Sequence, residues 1–496
     1  MDGTTGTEVT GHNELKKNTL GLPSALAMSL AFISPTIGVI FISAFIAGKA
    51  GESSPFVFLL GTIGIALMAL TLAQFTRRIT SAGTFYKFIC NSFGLSTGFV
   101  TALVLLLSYT LQSPLNVNLF AGFTSQVVKT QLGWNIPWGY FMVFIVVGVG
   151  ALAWYSVHTS MRFDIAFVIA EVTVVGILLI LIIAKGGDAG QAPAAFLPTH
   201  GSSGFGGLGE AFVFIVLAFF GFESCSTVAE ETRNPRKNLP RALVGSVVAT
   251  GLWFTFAMYA IIVGYGSKHV NLIAQATSPL RDLAVRYIGS WYGTVVDLAA
   301  ISAMIAVLLA IHTANFRILY SLGRDGILPK ELGHTHVKHK TPHVAIIVFS
   351  IFSIVVGLIA GWAWGPINAF GDLGYLSSLA ILPIYIGANV ALPVFIKKKF
   401  PSEFSAFQHV ALPAISSAIF LVAIYLSVHP WPASAPTNTF PWILLGFIVF
   451  SVLWAWYLKK KESTMLSRLG VVMFMVPETG FADPDMLEIV PNDPGA

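Results

Sequence analysis

The chain has 496 residues, of which 55% are hydrophobic and only 10% are charged, whereas a soluble globular protein carries about 25% charged residues. This composition excludes a soluble multidomain protein and predicts a polytopic membrane protein. The formal net charge of +5 does not indicate nucleic-acid binding, because Lys and Arg cluster at alternate ends of apolar runs and form no continuous basic face. The expected macromolecular surroundings are therefore a lipid bilayer and no nucleic acid.

Two cysteines and the first apolar run bear on the partners and the location of the chain. Cys90 falls in a predicted cytoplasmic segment and Cys225 inside a predicted helix, so we expect no disulfide-linked partner subunit. The first apolar run, from about 24 to 47, is too long for the core of a cleaved signal peptide. We therefore expect a multi-pass protein of the cell (cytoplasmic or plasma) membrane.

The apolar pattern predicts twelve membrane spans. Most of the 28 Lys and Arg residues fall on the side that would carry both termini, and positively charged flanks resist translocation, so both termini are predicted to be cytoplasmic. In chain order the spans lie near 24–48, 55–76, 94–118, 137–156, 160–184, 209–229, 241–265, 291–317, 343–361, 366–396, 408–428 and 440–458.

The first and sixth predicted spans are interrupted. In the first, Pro35 removes one backbone donor and opposes the preceding turn, while Gly38 tolerates unusual dihedral angles. In the sixth, Gly221 stands beside a carboxylate, Glu223, at mid-membrane depth. These spans begin two five-span halves, and because five is odd the halves enter from opposite sides of the membrane. Matching interruptions in an inverted repeat predict a central binding site, although plain kinks are also common in membrane helices.

Interrupted helices at mid-membrane depth suggest the chemistry of a ligand. Unpaired backbone groups are tolerated there only if they line a cavity or meet a ligand. Half-helix N-termini attract a carboxylate and exposed carbonyls attract an ammonium group or a cation, so a zwitterionic amino acid would satisfy both. The candidate substrate-binding residues at the two interruptions are Ser34, Pro35, Thr36, Ile37, Gly38, Phe219, Phe220, Gly221 and Phe222.

The third predicted span carries polar side chains on adjoining helix faces, namely Tyr109, Gln112 and Ser113. Tyr109 and Gln112 are further candidate substrate-binding residues, since a tyrosine hydroxyl can donate to a substrate carboxylate and Gln112 lies on an adjoining helix face. Hydrogen bonds between helices explain the same residues equally well, because buried polar groups in membrane bundles often pair in this way.

Two carboxylates lie within predicted spans. Glu171 lies deep in the fifth, where a carboxylate is costly to bury unless it is neutral or paired, and such residues commonly mark substrate or proton pathways. We expect Glu171 to be the proton-coupling group or the partner of a cationic substrate, with a structural, hydrogen-bonded carboxyl as the alternative. For Glu223, a gating or pH-sensing role competes with capping of the restarted helix.

The eighth predicted span contains two more ionisable residues. Asp297 lies near its outer end, where we expect a solvated or vestibule residue. His312 lies near its inner end, and we expect a structural role in preference to a proton relay.

Three motifs make the sequence recognisable. FGFES at 220–224 is followed by AEETRNPRKNLPRA at 229–242, RILY at 317–320 is followed by RDGILP at 324–329, and TSAGTFY occupies 80–86. In this order, and on the predicted cytoplasmic side, they resemble the amino acid–polyamine–organocation (APC) transporter superfamily, amino acid permease type, over about 20–461.

The resemblance implies an all-α polytopic membrane protein with about 12 transmembrane helices in the LeuT-like, or APC, fold. That fold is a five-plus-five inverted repeat with helices 1 and 6 broken, plus two extra C-terminal helices. The implied division is a cytoplasmic N-terminal segment (1–20), a first five-helix repeat (21–186), a second repeat (187–399), helices 11 and 12 (400–460) and a cytoplasmic tail (461–496).

The resemblance also implies roles for single residues. Glu171 falls near the position where proton-coupled relatives place a lysine facing the first helix, and Glu223 matches a recurrent family carboxylate. Relatives use a tyrosine of the third helix to bind the substrate carboxylate, which implies that role for Tyr109. Many members carry a gating aromatic residue where this chain has Leu217, so part of that role would pass to the neighbouring phenylalanines, which are Phe219, Phe220 and Phe222.

The expected function is secondary active transport of an amino acid by alternating access, coupled to protons, with no cofactor. A polyamine or other amine (organocation) substrate stays open because of Glu171, and so does exchange of two substrates. Sodium coupling has weaker support, since the sodium site of this fold uses hydroxyls of the eighth helix, and Ser302 is the only one well inside that span before Thr313. The sequence contains no HExxH motif, so we expect no enzyme.

Overall fold

The computed structural model describes most of the chain as helices. The described residues are 20–79, 84–155, 160–187, 190, 192–198, 204–324, 328–336, 341–429, 431–432 and 435–461. The predicted N-terminal segment before residue 20, the tail after residue 461, positions 80–83 of the TSAGTFY motif and positions 325–327 of the RDGILP motif lie outside the described residues.

Seventeen α-helices follow one another in the described residues, and the only β-type pairing there is one bridge between Leu20 and Thr232. The helices are α1 (Leu22–Ile33), α2 (Pro35–Ile37), α3 (Ser43–Ala50), α4 (Ser54–Thr76), α5 (Thr84–Phe93), α6 (Leu95–Leu132), α7 (Trp138–Tyr155), α8 (Ser160–Ala184), α9 (Gly204–Ala218), α10 (Pro235–Tyr265), α11 (Val270–Gln275), α12 (Pro279–Tyr287), α13 (Ser290–Arg324), α14 (His343–Trp364), α15 (Pro366–Lys399), α16 (Leu412–Val428) and α17 (Phe440–Lys461).

Ten helical ranges in the described residues are long and apolar enough to cross a membrane, and Trp138–Trp154 forms a further apolar helix. The first range, Leu22–Thr76, contains both the broken first helix and α4, so every predicted span has a helical counterpart. The prediction of an all-α polytopic membrane protein is confirmed. The division into two five-helix repeats stays a prediction.

The first predicted span, called helix 1 here and distinct from α1, is broken immediately before Pro35. It consists of α1, α2, a π-helical segment Gly38–Ile42 and α3, and Ser34 adopts a left-handed conformation (φ 49°, ψ 89°) between α1 and α2. A proline disfavours the α conformation of the residue before it, which explains this position of the break. Gly38 does not use the conformational freedom of glycine, because it is helical (φ −55°, ψ −39°). Glycine is required there because a Cβ would collide with the ring of Phe254.

The sixth predicted span, called helix 6 here and distinct from α6, consists of α9 and a 3-10 helix, Phe222–Glu231, separated by a break at Gly221. Gly221 has φ 85°, a left-handed conformation that side chains disfavour, and a Cβ there would also collide with the ring of Phe32. The two breaks therefore lie against each other. The rings of Phe32 and Phe220 stack at 6.1 Å, and the Ser29 hydroxyl donates to the carbonyl oxygen of Phe222 at 2.7 Å.

Candidate substrate and coupling site

A small central cavity lies between the two breaks, α6, α13 and α15. Its volume is about 20 Å³, which accommodates a water molecule and excludes an amino acid, so the central site is closed in this structure. Its lining residues are Phe32, Ile33, Ser34, Ile37, Ile42, Gln112, Leu115, Asn116, Leu217, Phe220, Val307 and Phe370.

The cavity contains four of the predicted substrate-binding residues, which are Ser34, Ile37, Gln112 and Phe220. Asn116 was missed, although its spacing of four residues from Gln112 puts both on one helix face. Phe370 carried no such signal, because the long apolar run of the tenth span does not reveal which face turns inward. Leu217, where the resemblance implied a gating aromatic residue, lines the cavity, and Phe220 supplies an aromatic ring nearby.

The restarted part of helix 1 presents a helix N-terminus to the cavity. The Ile37 N–H donates to the Ser34 hydroxyl oxygen at 3.3 Å, and the Gly38 N–H donates to the Ser34 carbonyl oxygen at 3.2 Å. The first N–H groups of any helix lack partners within the helix and carry the positive end of its dipole. Ser34 itself satisfies the Ile37 and Gly38 N–H groups, so this part of the cavity wall offers a carboxylate the positive end of the helix dipole.

Three predicted substrate-binding residues, Pro35, Phe219 and Phe222, do not line the cavity and contact residues of other helices instead. The Pro35 carbonyl oxygen accepts a hydrogen bond from the indole Nε1 of Trp253 at 3.2 Å. The ring of Phe219 packs edge-on against Phe254 at 5.4 Å, and the ring of Phe222 packs edge-on against Tyr385 at 5.8 Å. These side chains position the backbone of the breaks and are buried away from the cavity.

Gln112 connects α6 to α15. Its Nε2 donates to the hydroxyl oxygen of Ser377 at 2.8 Å, and that hydroxyl donates to the carbonyl oxygen of Ser108 at 2.8 Å. The hydrogen bond between helices that the sequence left as an alternative is therefore present at Gln112, although this residue also lines the cavity.

Tyr109 donates its hydroxyl to Glu223 Oε1 at 2.5 Å and does not line the cavity. Glu223 is fully buried, and its second oxygen, Oε2, has no hydrogen-bond partner among the described residues. The hydroxyl of Tyr385 on α15 is also buried and interacts with the same carboxyl group. Residues of α6, helix 6 and α15 thus form a buried polar cluster behind the Gly221 break.

Glu171 joins three helices at the break in helix 1. Its side chain is 4% exposed; Oε2 accepts from the Thr36 hydroxyl at 3.2 Å, and Oε1 accepts from the Ser302 hydroxyl at 2.9 Å. No Lys, Arg or His nitrogen of the described residues forms an ion pair with it. The carboxyl group of α8 therefore bridges the first residues of α2 to α13 through two hydroxyls. Sequence reasoning noted Ser302 and Thr36, but not that they would meet at Glu171.

The two other ionisable residues of α13 are buried. His312 Nδ1 lies 2.8 Å from the Leu308 carbonyl oxygen, so it carries the proton, and Nε2 lies 3.3 Å from the Ser113 hydroxyl oxygen. These contacts fit the expected structural role. The expectation that Asp297 is solvated is wrong: it is fully buried and paired with Arg281, because α12 packs against the outer end of α13 and supplies the guanidinium.

Comparisons with known proteins agree with this architecture. The sequence model of the family described as "Amino acid permease" matches residues 25–466. The chain is similar to the branched-chain amino acid permease BcaP of Bacillus subtilis (strain 168), with 26% identity over 467 residues that cover 89% of this chain and 93% of that protein. It is similar to the methylthioribose transporter of the same organism, with 24% identity, 86% of this chain and 92% of that protein.

A further relative is named as an importer of an amine, putrescine. The chain is 24% identical to the low-affinity putrescine importer PlaP of Escherichia coli (strain K12) over 355 residues, which cover 70% of this chain and 75% of that protein. These relatives are transporters and not enzymes, and their names imply small-molecule substrates and a membrane setting. With a family model matching most of its length and a helix for every predicted membrane span, the chain belongs to the amino acid permease family of the APC superfamily.

Proposed function

We propose that this protein transports an amino acid across the cell membrane by alternating access, coupled to protons through Glu171. The observation that carries the proposal is the bridge from Glu171 to Thr36 and Ser302. It connects the carboxyl group to the break in helix 1, which forms one wall of the central cavity. The proposal includes cytoplasmic termini, as the distribution of Lys and Arg favours.

Protonation changes this bridge in a defined way. An ionised carboxylate accepts hydrogen bonds from both hydroxyls, whereas a protonated carboxyl must donate one bond, so that Thr36 or Ser302 must accept instead. A charge at the centre of a membrane helix costs about 2.5–3.5 kcal/mol on insertion scales, and Glu171 has no cation beside it among the described residues. Proton binding therefore alters the energy of the contact between α2 and α13, which gives proton binding a direct effect on the substrate site.

The lining of the central cavity favours an amino acid with an uncharged side chain. The positive end of the helix that restarts after Ser34 suits a carboxylate, and the remaining wall is apolar apart from Gln112 and Asn116. No charged side chain is among its described lining residues. A polyamine would bring two or more ammonium groups to this wall and meet no carboxylate there. The name of the relative BcaP, a branched-chain amino acid permease, agrees with this preference.

An amine substrate is the second candidate. Glu171 lies behind the cavity wall at Thr36, and the putrescine importer PlaP is among the relatives. A conformational change that exposes Glu171 to the cavity would supply the missing carboxylate. An amine transporter tolerates loss of the substrate carboxyl group, and an amino acid transporter does not.

The test is uptake of labelled amino acids and amines into proteoliposomes without sodium, with and without an inward proton gradient. We expect the gradient to drive accumulation of an amino acid in the wild type. In Glu171→Gln, we expect the internal concentration to rise only to the external one, while exchange across the membrane of vesicles preloaded with substrate persists. Glu331→Gln is the matched control, since Glu331 is an exposed carboxylate outside the helices described above. Gradient-driven accumulation by Glu171→Gln at the wild-type level would contradict proton coupling through this residue. Uptake by the wild type only into preloaded vesicles would identify an exchanger.

A further inference from the structure

The segment between α10 and α13 covers the predicted outer side of the molecule. Within it, α11 packs against α3, while α12 packs against α13, α8 and the π-helical segment Gly38–Ile42 of helix 1. This segment therefore lies directly outside the broken helix that forms the central cavity wall.

A cavity of about 160 Å³ lies between α12 and the outer end of α6. A single water needs only about 10–15 Å³ on this scale, so the cavity is large enough for a small solute. Its polar wall consists of Gln126, Thr130, Thr277, Ser278, Arg281 and Asp282. The Ser278 hydroxyl oxygen is buried and has no hydrogen-bond partner among the described residues.

Arg281 is held at the wall of this cavity by a buried carboxylate. It pairs with Asp297 through Nη1, and its side chain is 29% exposed, whereas that of Asp297 is fully buried. A guanidinium has five N–H donors in a fixed plane, so the pair leaves donors for a second carboxylate. Asp282 lines the same cavity, with Oδ2 accepting from the Tyr265 hydroxyl at 3.1 Å.

A second cavity, of about 290 Å³, continues from this one toward the centre. The two share Thr277, and the larger is lined by residues of α3, α6 and α15, among them Leu119 and Ile367. Leu119 lies four residues from Leu115, and Ile367 lies three residues from Phe370, both of which line the central cavity. One helical turn, about 5.4 Å, thus separates the levels of the two cavities.

We propose that the cavity at Arg281 is an outer binding site where an amino acid docks before it moves to the central cavity. Arg281 binds the α-carboxylate, Asp282 binds the ammonium group and Ser278 adds a hydroxyl. Arg281 and Asp282 line the same space. A simple anion therefore meets the Asp282 carboxylate as an unfavourable partner, and a simple cation meets the Arg281 guanidinium. A zwitterion matches both. This inference rests on the proposed function, because it takes an amino acid as the substrate.

The test separates the two faces of the membrane. KM is measured for uptake from the side that carries α12 and, in vesicles of opposite orientation, from the other side. We expect Arg281→Gln to raise KM about tenfold on the α12 side, as for loss of a charge-assisted contact, and to leave KM on the other side unchanged. Lys268→Gln is the matched control, since it removes one exposed positive charge from the same segment without lining either cavity.

A second variant covers the case in which Arg281→Gln fails to fold, since it leaves Asp297 buried without its partner. Gln126→Trp fills the cavity from α6 and leaves the Arg281–Asp297 pair intact; we expect the same one-sided rise in KM. Equal effects on both faces, or none, would overturn the outer site while leaving the proposed function in place. A wild-type protein that transports no amino acid would overturn the proposed function, and this inference with it.

Discussion

Glu223 shows how single residues set the chemistry of the helix 6 break. The carboxyl group is fully buried, and Tyr109 is its hydrogen-bond donor on the neighbouring helix α6. Tyr109 forms the short hydrogen bond to this carboxyl group, and Tyr385 of α15 also interacts with it. A buried acceptor that loses its donor bears the full cost of its desolvation.

This dependence predicts the effect of Tyr109→Phe. Removal of the hydroxyl leaves Glu223 Oε1 buried without its donor, and we expect a loss of about 1–3 kcal/mol in the free energy of unfolding. The measurement is thermal unfolding of the purified protein in detergent. Tyr140→Phe is the control, because Tyr140 is 71% exposed. If both variants unfold at the wild-type temperature, the Tyr109–Glu223 contact contributes nothing to stability.

At the scale of elements, Gly221 at the break of helix 6 and Gly38, one turn after the break of helix 1, are required for different reasons. Gly221 combines a left-handed backbone (φ 85°) with close approach of Phe32, whereas Gly38 is helical and has only the close approach of Phe254. A left-handed conformation costs a residue with a side chain about 1–2 kcal/mol, whatever the space around it. Steric relief can therefore restore one site fully and the other only in part.

We expect Gly38→Ala and Gly221→Ala each to reduce transport strongly, because both breaks form the cavity wall. Adding Phe254→Leu should restore most of the activity of Gly38→Ala, while adding Phe32→Leu should restore Gly221→Ala only partly, since the backbone strain remains. Uptake rate and thermal stability of the four variants are the readouts. Gly446→Ala is the control, because a Cβ there meets no atom within 4 Å. Equal recovery at both breaks would contradict the role of backbone conformation at Gly221.

The sequence predicted the elements well and the contacts between them poorly, and the two breaks show why. A proline or glycine in an apolar run is a local signal, so the positions of both breaks were predictable to within a few residues. The meeting of Glu171 with Ser302, or of Tyr109 with Glu223, depends on which faces of distant helices pack together. Membrane helices are apolar on nearly all faces, so the periodicity that identifies a buried face in a soluble helix is weak here.

At the scale of the whole molecule, the larger cavities and the hydrogen bonds that join helix 1 to helix 6 lie on opposite predicted sides of the membrane. The cavities of about 160 and 290 Å³ lie on the predicted outer side, and the central cavity has a volume of only about 20 Å³. On the predicted inner side, the start of helix 1 is tied to the end of helix 6: the Arg233 N–H donates to the Leu20 carbonyl oxygen at 2.7 Å, and the Ser224 hydroxyl donates to the Met28 carbonyl oxygen at 3.2 Å. In this structure the predicted inner side is therefore closed more tightly than the predicted outer side.

Assignment of these sides rests on the positive-inside pattern, which cysteine labelling in cells can test. Lys268→Cys and Lys459→Cys are each placed in a chain with Cys90→Ala and Cys225→Ala, and treated with a membrane-impermeant maleimide. We expect Lys268→Cys, beside α11, to react in intact cells, and Lys459→Cys, at the end of α17, to react only after permeabilisation. The reverse result would invert the assignment of the sides and turn the outer cavities into inner ones.

The unsubstituted chain is the control for that labelling. Cys90 and Cys225 are both buried, and burial raises the pKa of the Cys90 thiol to about 12. Since the thiolate is the reacting form, Cys90 stays almost entirely protonated from pH 7 to pH 9, whereas an exposed thiol with a pKa near 8.5 becomes mostly ionised over that range. Labelling of the introduced cysteines should therefore rise with pH while the native chain stays unlabelled until it is unfolded. Labelling of the folded native chain at pH 9 would show that its thiols are accessible and that the closed packing around α5 opens on the time scale of the experiment.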